Sequence, residues 1–260
     1  LIVSSSHCVA KGVRHDESVY HISYVHAPMR YVWDQFNTYF RQPRTSWPVR
    51  IGAELMRPYL QRWDRNTAKR VDTFLCNSDN IRKKILEYYG RESQVIYPPV
   101  DLSRFKPGDS KADYYLMVGA FAPNKRVDLA IEAFNQLKLP LKISGSGQDE
   151  EYCRSIAGEN IEFLGALSNE KLLELYQQAR ALVFPGEDDF GITPLEAQAC
   201  NTPVIAFASG GALETVTEQT GIFFAEQKVE ALIKAVEEME RSWKSFAPEP
   251  FQRQMSRFGR

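Results

Sequence analysis

The chain is predicted to be α/β, with parallel sheets in two domains, and three observations carry this. Short apolar runs alternate with amphipathic segments along most of the 260 residues. Residues 179–216, ARALVFPGEDDFGITPLEAQACNTPVIAFASGGALETV, hold two strand-to-helix turns in succession. Tyr97-Pro98-Pro99-Val100-Asp101 is stiff extended chain, because each proline fixes its own φ and restrains the residue before it, and it reads as a connector between domains. With 43% hydrophobic residues the chain can bury a sizeable core in each half.

In chain order, residues 1–3 read as a strand with no leading element, which leads us to expect that the first domain begins ahead of Leu1. Residues 4–12 follow as a turn and a short helical start, and residues 19–25 form a second strand. His26 stands just past that strand's carboxyl end, where parallel sheets place their sites; a purely structural role is equally open. His7 has the same kind of position after the first strand. Residues 31–63 are dense in aromatic residues and arginines, among them Trp33, Phe36, Arg41, Arg44, Trp47, Arg50, Tyr59 and Trp63. Helical periodicity begins only near Arg50, with Leu55, Tyr59, Leu60 and Trp63 on one face. Three readings stay open for this region: packing beneath an irregular loop, a mobile cover over an acceptor or membrane interface, and nucleic-acid binding. The last has no supporting RNA-binding signature elsewhere, so nucleic acid is not expected as a partner. A strand at 73–76, a helix at 80–89 capped by Asn77-Ser78-Asp79 and closed by Gly90, and a strand at 95–96 complete this half.

Residues 101–112 are polar, contain Pro107-Gly108, and are read as a linker. A strand at 114–118 then leads into Gly119 and, just ahead of a helix at 127–136, Lys125 and Arg126. A cation beside free helix amides suits a diphosphate. The strand at 141–144 ends in Gly145-Ser146-Gly147, which a plain tight turn explains as well as a ligand loop does. A helix at 150–157, a strand at 161–165 and a helix from Ser168 to Arg180 follow; Leu172, Leu175, Tyr176 and Ala179 read as the last helix's core face. After a strand at 181–184 comes an acidic glycine loop, with Glu187, Asp188, Asp189 and Gly191. Thr193-Pro194-Leu195-Glu196 reads as a helix start, Thr193 as N-cap and Glu196 at N3, a capping box with amides free for an anion. Such loops also occur as ordinary turns without a ligand. Strands at 203–208 and 222–224, a helix at 229–243 and a basic tail complete the chain. The domain limits are expected at 1–100, 101–112 (linker), 113–240 and 241–260.

Net charge is −1, but residues 1–100 carry 15 Lys and Arg against 9 Asp and Glu, leaving the remainder acidic. This permits a basic face toward an anionic acceptor or membrane surface and argues against general nucleic-acid binding. The four cysteines have no metal spacing, and a reducing compartment is the simpler reading. No run of 18 apolar residues occurs.

The segment around Asp188, Phe190-Gly191-Ile192 and Glu196 resembles the signature of the retaining, nucleotide-sugar-dependent glycosyltransferases of family 4 (group 1), which have two Rossmann-like domains in the GT-B arrangement. SSSHCVAKGV and YVHAPMRYVWD resemble a subset of that family, the mannosyltransferases of O-antigen and surface-polysaccharide assembly. The resemblance spans nearly the whole chain. It implies two Rossmann-like domains, the N-terminal one incomplete, with the tail from 241 a truncated crossover back to it. It implies metal-independent transfer of a hexose, with mannose from GDP-mannose favoured, to a saccharide or lipid-linked acceptor. A cytoplasmic location at the inner face of the plasma membrane is expected, with no bound cofactor, and the basic-aromatic residues themselves suggest membrane contact. Lys125 would hold the diphosphate with amides near Thr193, and Glu196 the ribose hydroxyls. Asp188 with the Phe190-Gly191-Ile192 backbone would hold the sugar hydroxyls, and His26 would flank the sugar. Gly119, Arg126 and Gly145 would line the nucleotide. His26, Asp188 and Lys125 are the catalytic candidates. Three positions depart from the family pattern: Asp188 where Glu is usual, Ala27 where Thr is common, and Ala120 where an Arg joins the phosphate lysine. Arg126 is the nearest substitute for that arginine. A protein that binds or assembles around a sugar nucleotide without catalysis, and a retaining phosphorylase or hydrolase, are the alternatives.

Overall fold

The computed structural model describes residues 1–41 and 45–259. Arg44, one of the arginines of the aromatic region, lies outside the described residues. By contact the chain divides into two compact units, Leu1–Tyr97 and Pro98–Arg260.

The first unit is built on a parallel sheet of β1 (Ile2–Ser6), β2 (His21–Val25), β3 (Thr73–Cys76) and β4 (Ser93–Val95), in that spatial order. Ser4, Ser5 and Ser6, expected in a turn, extend β1 instead. Pairing overrides their low strand propensity: Ile2 to Ser6 run in register with His21 to Val25. The buried Ser4 hydroxyl is satisfied by His21 Nε2 at 2.8 Å and Ser23 Oγ at 3.0 Å. Helices α1 (Phe36–Phe40), α2 (Trp47–Ala68) and α3 (Asp79–Tyr89) complete the unit. Ser78 caps α3 by accepting from the Ile81 amide at 3.1 Å, and Gly90 ends it at φ 64°. Helix α2 starts well before the periodicity suggested, and it holds Pro58 within it. Leu60 and Trp63 pack on the cluster of Met29, Val32, Trp33 and Tyr88, but much of the rest of its inner face is polar. Arg57 donates to the Val32 and Trp33 carbonyls, each at 3.0 Å, and Gln61 to Val32 at 2.8 Å. Asp64 is wholly buried and receives Trp33 Nε1 and the Tyr89 hydroxyl, each at 2.8 Å, with Lys11 as its counter-ion. Trp33 stacks on Tyr88 at 4.6 Å. Much of the basic-aromatic composition is therefore spent on packing beneath α2.

The second unit is a parallel sheet of β5 (Tyr115–Val118), β6 (Leu141–Ser144), β7 (Ile161–Gly165), β8 (Leu182–Phe184), β9 (Val204–Phe207) and β10 (Gly221–Phe224). The spatial order is β10-β9-β8-β5-β6-β7. The chain lays β5, β6 and β7 outward in one direction, returns to pair β8 with β5, and continues the other way. The reversal between β5 and β8 is a topological switch point, where α/β sheets open a crevice. Helices α4 (Val127–Leu137), α5 (Glu150–Ile156), α6 (Asn169–Gln178), α7 (Ile192–Ala199), α8 (Ala212–Thr215), α9 (Val229–Ser242) and α10 (Pro248–Phe258) belong to this unit. Its central strands β5, β8 and β9 are buried on both faces, and Tyr115, Ile131, Phe134, Val183, Ile205, Leu232 and Val236 form a continuous core.

Residues 101–112, read as linker from composition, are counted with this unit. Val100 pairs with Gly259, and Phe105 is buried with its ring 5.9 Å from that of Tyr176. The tail from 241 folds as the end of α9, a 3₁₀ turn and α10, and α10 packs on α7 of the same unit.

Candidate functional site

At the switch point, the loops after β5 and β8 run against each other. The Glu187 amide donates to the Asn124 carbonyl at 3.1 Å. A Cβ on Gly186 would stand 2.3 Å from that same carbonyl oxygen, so only glycine lets the two backbones approach. Lys125 closes a 3₁₀ turn, Pro123–Lys125, and its Nζ forms an ion pair with Asp188 Oδ2. Asn124 Nδ2 lies 3.5 Å from Asp188 Oδ1. The two catalytic candidates of this unit, far apart in sequence, are thus in direct contact. Both are mostly shielded from water, at 24% and 16% side-chain exposure, so any anion arriving at Lys125 would compete with a carboxylate already in place.

Neighbouring loops build the rest. The Gly211 amide donates to the Asp188 carbonyl at 2.8 Å, fixing the acidic loop from the β9 side. Gly145 lies against Gly119: its amide donates to the Gly165 carbonyl at 2.9 Å, and an added Cβ would fall 1.9 Å from the Gly119 oxygen. Arg126 adopts a left-handed backbone, φ 52°, at the start of α4, and its Nε reaches Asp128 Oδ1 at 3.1 Å. It is turned toward its own helix's first turn, while Lys125 turns toward Asp188. Phe190 is buried, edge-on to Phe258 of α10 at 5.9 Å, and Ile192 is exposed.

The capping-box expectation for Thr193 and Glu196 is corrected. Helix α7 begins at Ile192, and its N-cap is Gly191 at φ 91°. Thr193 is therefore the second helical residue and Glu196 the fifth, two positions past N3 and too far in to cap the helix. The glycine's access to positive φ lets the helix start earlier than the threonine signal suggests. The Glu196 carboxylate is used otherwise: it accepts from the Tyr176 hydroxyl at 2.9 Å. Burial pushes the Glu196 pKa up, and the Tyr176 hydrogen bond pulls against that. Tyr176, read from spacing as a core residue, is fully buried, yet its hydroxyl reaches the Glu196 carboxylate; a buried tyrosine needs such a partner where leucine does not, and that was the available signal. Lys111 donates to Thr202 Oγ1, and that hydroxyl donates to the Tyr176 carbonyl, so residues 98–112 help to hold this corner.

In the first unit His26 follows β2. Its Nε2 lies 3.0 Å from Ser5 Oγ, its ring is edge-on to Tyr24 at 5.0 Å, and its carbonyl accepts from Asn77 Nδ2 at 3.0 Å. Burial, with a contribution from His7, holds its pKa below the ordinary histidine value, which favours a neutral ring. Among the described residues there is no cluster of three or more His, Cys, Asp or Glu able to hold a metal ion. Nor, among them, is any helix long and apolar enough to cross a membrane.

Comparison with known proteins agrees with this geometry. Residues 100–260 match the family model described as glycosyl transferases group 1, and residues 4–104 match that of glycosyltransferase family 4. A D-inositol 3-phosphate glycosyltransferase of Geodermatophilus obscurus is 33% identical over 175 residues, 54% of this chain and 39% of its own. A protein of the same name from Mycobacteroides abscessus is 27% identical over 203 residues, 68% of this chain and 46% of its own. The chain therefore spans less than half the length of these relatives. Among solved structures, sucrose-phosphate synthase from Thermosynechococcus elongatus superposes with a TM-score of 0.74 at 20% identity, over 92% of this chain and 63% of that one. Anabaena HepE in complex with UDP superposes with a TM-score of 0.71 at 16% identity, over 92% of this chain and 68% of that one. These likenesses establish the fold, two α/β units of the GT-B type. With its larger part matched by the family model, the chain belongs to the glycosyl transferases group 1.

Proposed function

We propose that the protein transfers a hexose from a nucleoside diphosphate sugar to a saccharide or lipid-linked acceptor, with retention at the anomeric carbon and without a metal ion. The observation that carries this is the ion pair of Lys125 with Asp188 across the loops that follow β5 and β8, on the switch point of the second unit. Lys125 exchanges its Asp188 partner for the donor's diphosphate, stabilising the charge that develops as the sugar leaves. Backbone amides at the start of α7, opened by Gly191, add to that site. Asp188, released from the ion pair, turns with the Phe190-Gly191-Ile192 backbone to the sugar hydroxyls. Glu196, held by Tyr176, takes the ribose diol. The bond from C1 to the phosphate oxygen breaks and a bond from C1 to the acceptor oxygen forms on the same face. The acceptor's proton passes to the departing diphosphate. The role that the resemblance gives His26, beside the donor sugar, calls for the neutral ring that its burial favours.

Mannose from GDP-mannose remains the donor of choice on the resemblance of the first unit. HepE has also been solved with UDP-glucose, so UDP-sugar donors enter the test, and inositol 3-phosphate, named in the relatives, enters it as a hydroxyl acceptor. The place of action proposed is the cytoplasmic face of the plasma membrane. The test is product analysis by mass spectrometry and anomeric NMR, with GDP-mannose and UDP-sugars against saccharide and polyprenyl-linked acceptors. A retained α-linkage on an acceptor supports the reading. Free sugar alone, or sugar 1-phosphate alone, supports a hydrolase or phosphorylase, and donor binding with no product supports a binding protein.

A further inference from the structure

The N-terminal half of helix α2 carries its polarity the wrong way round, whereas farther on Leu60 and Trp63 pack inward. The side packed on the protein bears Arg57, Gln61 and the buried Asp64, which bond carbonyls and ring donors as described above. The opposite side bears Trp47, Ile51, Leu55 and Tyr59, spaced four apart, which at 3.6 residues per turn form one slightly drifting stripe. Their exposures are 73%, 51%, 75% and 62%, and Val49 and Met56 beside them are about half exposed. A surface helix of a water-facing protein shows the reverse pattern. Single exposed apolar residues are ordinary, but a contiguous row this large marks a contact surface. The row covers 12 residues of rise, about 18 Å of helix.

Charge decides what the surface meets. From Trp47 to Tyr59 the one acidic residue is Glu54, and Arg41 lies on it in an ion pair. The same helix continues into the exposed Arg62 and Arg65, followed by Lys69 and Arg70. An apolar stripe with tryptophan and tyrosine, running into a basic end, is complementary to acyl chains beneath anionic headgroups. A second copy of this chain is a poorer occupant, because a two-fold contact through α2 brings the two basic ends into one interface. We propose that the N-terminal half of α2 is an interfacial anchor that seats the protein on an anionic lipid surface. This deepens the membrane placement proposed above, and its test needs neither donor nor acceptor. A protein that transfers sugar to a soluble acceptor yet ignores vesicles defeats this inference alone.

The test is flotation of the full chain with vesicles of phosphatidylcholine, with and without phosphatidylglycerol. The parent is expected to float with the anionic vesicles, to float less at high salt, and to leave the neutral ones largely unbound. Trp47→Ser with Leu55→Asp is expected to reduce binding about tenfold or more, since two large apolar side chains leave the interface. Leu55→Asp alone is expected to give an intermediate loss, and Arg62→Glu to weaken the preference for anionic lipid. Because all these side chains are exposed, melting temperatures should match the parent's, and a single variant with an unchanged melt is enough for the comparison. Failure of the parent to float overturns the proposal, as does equal flotation of the double variant. Self-association that the double variant abolishes, without vesicle binding, overturns it in favour of a second copy.

Discussion

Lys125 and Asp188 neutralise each other across two loops, so either one alone is left with a partly shielded charge when its partner is removed. Lys125→Ala should weaken binding of the donor and of the free nucleoside diphosphate alike, by about tenfold or more, the size of a lost charge-assisted hydrogen bond. Calorimetric titration checks this, and equal affinities would remove the lysine from the site. Glu196 makes a pH prediction with a definite sign. Its pKa is raised by burial, so its ionised, diol-accepting form is lost at a higher pH than that of an exposed glutamate. Nucleotide affinity should therefore fall as pH drops through that raised value. Tyr176→Phe removes the hydrogen bond that opposes the rise, and the fall should move to higher pH. Glu196→Gln should weaken binding at neutral pH by about 1–3 kcal/mol and show no such fall. The same shift bears on stability: a carboxyl raised on folding contributes stability at low pH and loses it as pH rises through the folded pKa. Glu196→Gln should then leave the melting temperature at neutral pH unchanged or higher, which separates binding from folding. An acid-side profile identical in parent and Tyr176→Phe would refute the positioning role of the tyrosine.

At the scale of elements, the two loops of the switch point depend on close backbone contact. Gly186→Ala should cost about 1–3 kcal/mol and loosen nucleotide binding, because the methyl group must displace the Asn124 carbonyl. Gly52, inside α2 with open space around its Cβ position, is the control: Gly52→Ala should stabilise by about 0.5–1 kcal/mol. Thermal denaturation of both reads the contrast. Much of this scale was legible in the sequence. The strands at 73–76, 141–144 and 161–165 have the limits their apolar runs announce, and Ser78, Gly90 and Ser168 cap or close the helices they flank. The misreadings have local and distant causes. The serines of β1 become strand because β2 pairs with them, and Glu196 falls deeper in its helix because Gly191 starts that helix earlier than the threonine signal suggests. The α2 start was hidden because the inner face of its N-terminal half is polar, so only the Leu60 and Trp63 end of the periodic signal marks a packed side.

For the whole molecule, the family resemblance named a chemistry, and the sheet order offers a crevice for it. The order of the second sheet, β7-β6-β5-β8-β9-β10, follows from parallel strands whose crossovers reverse once, and Lys125 and Asp188 meet at that reversal. Composition alone did not reveal that residues 98–112 and the tail would be ordered within the second unit. Val100 against Gly259, and the buried Phe251, Met255 and Phe258, supply contacts that a polar, proline-containing stretch does not advertise. With two compact units, heating should resolve two transitions, and a nucleotide should raise only that of the second, as scanning calorimetry can show. A nucleoside diphosphate sugar is proposed to bind the crevice at the ends of β5 and β8. The most direct test is calorimetric titration of GDP-mannose, UDP-glucose, UDP-N-acetylglucosamine and ADP-glucose into the parent, Lys125→Ala and Glu196→Gln. Saturable binding of at least one donor to the parent, weakened by both substitutions, is expected, whereas no binding of any donor, or binding that neither substitution changes, would contradict the assignment.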